Sequence, residues 1–116
     1  MSESLTLELP HLPPTLNRWS RAHWSVRAKW AREWRGIVAA YAPRKPRPYF
    51  VRPVTVEFTF SSPRPVDADS LPKFALDGCC GVLFPDDSRR WLVEIRLRSV
   101  KGPPSTRIRV WAEAEE

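Results

Sequence analysis

All five aspartates of this chain lie between positions 67 and 87: Asp67, Asp69, Asp77, Asp86 and Asp87. Every acid outside that window is a glutamate. Carboxylates crowded together repel, so their grouping is unfavourable unless a cation sits among them. Oxygen donors with no histidine nearby favour Mg²⁺, with Mn²⁺ as a substitute, over zinc. An extended Asp67-Ala68-Asp69 places both carboxylates on one side of the chain. Asp69, Lys73 and Asp77 follow at steps of four, along one face of a short helix. Mg²⁺ keeps several waters and is often shared with a phosphate group. Beside a phosphodiester, such an ion activates water and neutralises developing charge. Lys73 would add a positive charge next to the scissile phosphate. Each acid also has a plainer reading. Asp69 can cap a helix, Asp77 can pair with Lys73, and Asp86-Asp87-Ser88 can form a turn after Pro85. Those readings leave Asp67 and the clustering unexplained.

The basic residues are segregated too. Positions 18 to 52 hold ten of them, Arg18, Arg21, Arg27, Lys29, Arg32, Arg35, Arg44, Lys45, Arg47 and Arg52, against the single acid Glu33. That stretch carries +9, while the whole chain carries +6 with a pI near 10.0. Clustered Lys and Arg suit a phosphate backbone, because each contact releases counterions. A charged helix face is often only solvated, and tryptophans on a stripe are more often core than base-stacking platforms. The proline-spaced basic run Arg44-Lys45-Pro46-Arg47-Pro48 does nothing for a core, and it favours the phosphate reading.

Four strands and two helices must position these groups. Alternation of apolar and polar residues marks strands at Leu5–Leu9, Val54–Phe60, Val93–Leu97 and Ile108–Val110. The last two flank Lys101-Gly102-Pro103-Pro104-Ser105 and are expected to form an antiparallel hairpin. No proline falls between Thr15 and Tyr41. There Trp19, Val26, Trp30, Trp34, Val38 and Tyr41 make a helical stripe, with Arg18, Arg21, Lys29 and Arg32 roughly opposite. Pro43 ends that long helix. A shorter helix is expected from about Ser70 to Cys80, with Asp69 at the N-cap and Pro72 in the first turn. The order β-α-β-α-β-β predicts a small α+β domain over residues 1–116, a mixed sheet packed by one long and one short helix.

Several classes are excluded. The first eight residues lack the basic-then-apolar pattern of a signal peptide. No uncharged run approaches the roughly 20 apolar residues of a membrane helix. Cys79 and Cys80 are adjacent and cannot close a useful loop, so a reducing, cytoplasmic setting is expected, with both thiols in the core. Two Cys and two His at these positions fit no zinc-finger spacing. No Gly-rich phosphate loop exists, and no small organic cofactor is implied. His11 and His23 have no partner pattern and read as surface or satisfied residues.

At these residues the chain resembles the RusA-type Holliday-junction resolvases of bacteria and their phages. The family opens with a strand ending in a Leu-Pro…Pro-Pro…Asn turn, here Leu9-Pro10-His11-Leu12-Pro13-Pro14-Thr15-Leu16-Asn17, followed by an aromatic and basic helix beginning at Arg18-Trp19. It then has an Asp-x-Asp-Asn-x-x-Lys-x-x-x-Asp run, here Asp67 to Asp77, and an Asp-Asp pair before a strand, here Asp86-Asp87. Ser70 stands where the family usually has Asn, Pro72 lies inside the motif, and the basic run before it is reduced to Arg64. The resemblance implies Asp67, Asp69 and Asp87 as Mg²⁺ ligands, with Asp86 as the alternative third ligand. It implies Lys73 as the catalytic or phosphate-contacting lysine. It also implies a homodimer cutting four-way DNA junctions by paired nicks in recombination and repair. Asn17, Arg18, Arg21, Lys29, Arg32, Arg44, Lys45, Arg47 and Arg64 are the expected DNA contacts. A catalytically inactive module holding branched or single-stranded DNA is the alternative. A domain that only binds an acidic protein is a third reading.

Overall fold

The computed structural model describes residues 4–13, 16–45, 47–64 and 72–112, without the side chains of residues 16, 17, 19 and 72–74. The chain runs β1 (Ser4–Leu9), α1 (Leu16–Arg21), α2 (Trp24–Tyr41), β2 (Val54–Ser62), α3 (Pro72–Cys79), β3 (Leu92–Lys101) and β4 (Ser105–Ala112). The expected α+β class holds: helices pack on one face of a four-stranded mixed sheet. Among the described residues, no helix is long and apolar enough to cross a membrane.

The spatial order is β1-β4-β2-β3. β4 runs antiparallel to both β1 and β2, while β3 runs parallel to β2 at the edge. This corrects the expected hairpin. β3 and β4 are not neighbours, because β2 lies between them. The reason is burial. β2 inserts Val54, Val56, Phe58 and Phe60 fully into the core, and such a strand belongs inside the sheet. β3 carries Glu94, Arg96, Arg98 and Lys101 and is exposed from Val93 onward, which suits an edge. Residues 102–104 therefore step over the end of β2. The Gly102 amide donates to the Ser62 carbonyl at 3.1 Å. A Cβ at Gly102 would come within 2.7 Å of the Ser61 hydroxyl, which would have to turn aside.

Alternation decides which side chains face the helices. Leu7 and Leu9 from β1, and Ile108, Val110 and Ala112 from β4, join the β2 row. The Phe58 and Phe60 rings stack at 5.8 Å. Burying side chains of this size contributes about 1.5–3 kcal/mol each. The opposite face of the sheet is polar. Register aligns Arg109, Glu57 and Arg96 in one row across it, and Arg107, Thr59 and Arg98 in the next.

The long helix is not continuous. It breaks at Ala22-His23 into α1 and α2. His23 adopts extended backbone angles and caps α2, its Nδ1 accepting from the Ser25 amide at 3.2 Å. Its carbonyl accepts from Val26 and Arg27, both at 3.0 Å. An imidazole stands here in the place usually taken by a short polar side chain. At the other end, Arg47 closes α2. Its guanidinium donates to the Ala39 carbonyl at 2.7 Å and to the Pro43 carbonyl at 3.2 Å. A cation there also meets the negative end of the helix dipole.

Candidate functional site

α3 is docked on α2 through Trp34. Its ring is buried, and its Nε1–H donates to the Ala75 carbonyl at 3.2 Å. Gly78 lies flat against that ring. A Cβ there would approach Trp34 Cδ1 to 2.2 Å. The two helices can meet this closely only because residue 78 has no side chain. One residue along α2, Arg35 reaches over α3, and its Nη2 lies 3.5 Å from the Asp77 carbonyl oxygen.

The chain leaves α3 into a tight turn, where Cys80 bridges to Phe84 and Gly81 takes the left-handed conformation at φ 83°. The segment before β2 is tied to this turn. Tyr49 N donates to Val82 O at 3.0 Å, and Phe50 N donates to Leu83 O at 2.8 Å. The basic loop following α2 is thereby anchored against the acidic turn preceding β3.

Half-buried, Cys80 is pushed up to about 11, by burial first and then by the negative fields of Asp87, Asp77 and Asp86; Arg35 opposes them. Cys79 is fully buried, and burial pushes its thiol far up, with Cys80 adding to the shift. Both thiols are free, and neither is a nucleophile at neutral pH. The core assignment holds for Cys79 and in part for Cys80.

The two aspartates of the pair differ. Asp86 Oδ1 accepts from the Ser88 amide at 2.8 Å, an Asx turn that holds the loop entering β3. Side-chain and backbone hydrogen bonds from Ser88 hold its carboxyl below the usual range, and Arg90 adds to that against a small burial effect. Asp87 is exposed, and among the described residues no hydrogen bond or ion pair occupies its carboxylate. Of the two, Asp87 is the one available to an outside ligand.

Asp67 and Asp69 lie outside the described residues, as does the side chain of Lys73, which belongs to α3. Among the described residues, no three His, Cys, Asp or Glu groups are arranged to hold an ion. What the described part supplies is the exposed carboxylate of Asp87, an oxygen donor next to Asp86. That chemistry fits Mg²⁺.

The expected DNA contacts divide by what they touch. Arg21, Lys29, Arg32, Arg44, Lys45 and Arg64 are exposed. Arg18 does not lie opposite the aromatic stripe; its guanidinium stands over the Trp30 ring at 5.0 Å. Arg47 is engaged in closing α2. Lys29 lies 3.9 Å from Glu33, an exposed pair of little energetic consequence. Asn17 sits on α1 with its side chain outside the description.

The stripe itself is only partly core. Trp34 and Val38 are buried and Trp30 is half-buried, whereas Val26 and Tyr41 are exposed. The side chain of Trp19 is outside the description. Sequence reasoning singled out neither Trp24, exposed at the start of α2, nor the capping role of His23.

A concavity of about 660 Å³ lies away from the acids, beside β1 and β4, lined in part by Glu8, Glu57, Thr59, Arg98 and Arg107. Its charge is mixed, and Arg107 is held by Glu8 at 2.7 Å, so it carries no comparable chemistry. No protein-family model and no curated protein matches this chain.

Proposed function

We propose that this protein is a Mg²⁺-dependent, structure-specific DNA endonuclease of the RusA type, cutting four-way junctions. The observation that carries the reading is the tie between the basic loop after α2 and the acidic turn before β3, which presents the exposed Asp87 next to Asp86. Carboxylates gathered on the surface of a strongly basic chain suit an ion held against a phosphate backbone.

In this reading Asp87 holds the ion together with Asp67 and Asp69. The bound ion supplies water activation and neutralises charge on the phosphoryl oxygens. Asp86 fixes the loop that presents Asp87. Lys73, one turn before Asp77 on α3, contacts the scissile phosphate. The exposed cations of α1, α2 and the following loop hold the DNA arms. Two strands of a junction must be nicked, and one chain has one such cluster, so the working unit is a homodimer. A cytoplasmic setting, where junctions form and thiols stay reduced, completes the proposal.

The test is cleavage of a synthetic four-way junction with Mg²⁺. Asp67→Asn, Asp69→Asn and Asp87→Asn should each lower cutting by at least ~100-fold, a cost typical of losing electrostatic stabilisation of the transition state. Junction binding should persist or tighten, since negative charge facing phosphate is removed. Full activity in all three variants would overturn the reading. Metal-indifferent binding with no product under any divalent cation would identify a binding module instead.

A further inference from the structure

Trp24 is 69% exposed, the most exposed aromatic side chain among those described, together with Val51 the most open large apolar group. Left in water, an indole forgoes the gain that drives its burial, so its place on a rigid helix calls for an occupant. It does not wave freely. The His23 ring lies 5.5 Å away at 36°, and His23 is itself held by Ser25, whose hydroxyl is 2.8 Å from Nδ1.

The periodicity of α2 places Trp24 on one flank with Ala28, Arg32 and Arg35. Arg35 is the residue that reaches Asp77 and faces Cys80. The flank thus runs from an exposed indole, past two guanidinium groups, to the acidic cluster. Eleven helical residues at about 1.5 Å each span roughly 16 Å. That is about five nucleotide steps of a duplex strand at about 3.4 Å per step.

The partner follows from this chemistry. α1 and α2 offer Arg18, Arg21, Arg27, Lys29, Arg32 and Arg35 against Glu33 alone, so it is polyanionic. It also presents a flat π-face that an indole can cover. Nucleic acid with unpaired bases joins the two at every nucleotide, a phosphate beside a π-face, whereas an acidic protein does so only where an aromatic side chain lies among its acids. We infer that Trp24 is a stacking platform for an unpaired base, placed eleven residues along α2 from Arg35, a span of about five nucleotide steps. The inference rests on the nucleic-acid part of the proposed function but not on its metal chemistry.

The experiment is equilibrium binding by fluorescence anisotropy in EDTA, on the full chain. The probes are a labelled DNA with a short unpaired gap and a fully paired duplex of equal length. Trp24→Ala should weaken gapped-DNA binding about 5- to 100-fold, the usual range for one stacked base, and leave duplex binding within twofold. Trp24→Phe should restore most of the loss. A 2-aminopurine in the gap should be quenched by the parent chain and not by Trp24→Ala. Unchanged gapped-DNA affinity in Trp24→Ala, or equal losses on both probes, would overturn the platform alone. Failure of the parent chain to bind either probe at low salt would overturn the nucleic-acid reading with it.

Discussion

Trp34 and Trp24 are the same residue type on the same helix, and they have opposite fates. Trp34 is 3% exposed, its N–H satisfied by a carbonyl of α3 and its ring face pressed on Gly78. Trp24 is 69% exposed, beside only the histidine that caps its own helix. The difference teaches that residue type and helical period do not by themselves assign an aromatic to the core. What assigns it is whether another element arrives to cover it. α3 reaches Trp34 because Gly78 lets it, and no described element reaches Trp24.

The comparison can be broken first at its buried end. Trp34→Ala should lower unfolding free energy by about 3–5 kcal/mol, read by urea titration, since it empties a core site and removes the indole N–H bond that ties α2 to α3. Gly78→Ala should cost about 1–3 kcal/mol by forcing the indole aside, and more if the ring has nowhere to go. A change below about 0.5 kcal/mol in either would show that the α2–α3 contact is not as close as described. At the exposed end, Trp24→Ala should shift unfolding by less than about 0.5 kcal/mol, the usual effect of a surface change.

The smallest effect concerns the acidic turn. The Asp86 carboxyl is held below its ordinary value of 3.8 by the bonds from Ser88. A depressed acid contributes stability above its unfolded pKa and loses it as pH falls through the folded one. The parent chain should therefore melt above Asp86→Asn at pH 6, and the gap should close as the pH is lowered below the ordinary carboxylate range. A gap that stays constant with pH would show that Ser88 does not favour the charged form.

Local pattern carried much of the fold. Period-two alternation located all four strands: β1, β2 and β4 send alternate residues into the core, while β3 keeps the alternation although it is exposed from Val93 onward. Strand partners were not legible, since the placing of β4 beside β2 depends on competition between distant segments for the central position. The interruption at His23 also escaped, because no proline or glycine marks it and an imidazole is an uncommon cap. At the site, sequence pattern treats Asp86 and Asp87 alike; what distinguishes them in the fold is one neighbour, Ser88, whose amide bonds Asp86. The turn at residues 80–84, which leads from α3 to that pair, rests on the bridge between Cys80 and Phe84 rather than on any spacing.

The position of β4 bears on how the molecule is made. It is the last strand along the chain, yet it fills the slot between β1 and β2. Until residues 105–112 emerge during synthesis, β1 has no neighbour and the β2–β3 pair ends in an open apolar edge. A ribosome stalled before that point would display Phe58 and Phe60 to chaperones and to other nascent chains, and arrival of β4 would close the sheet in one concerted step.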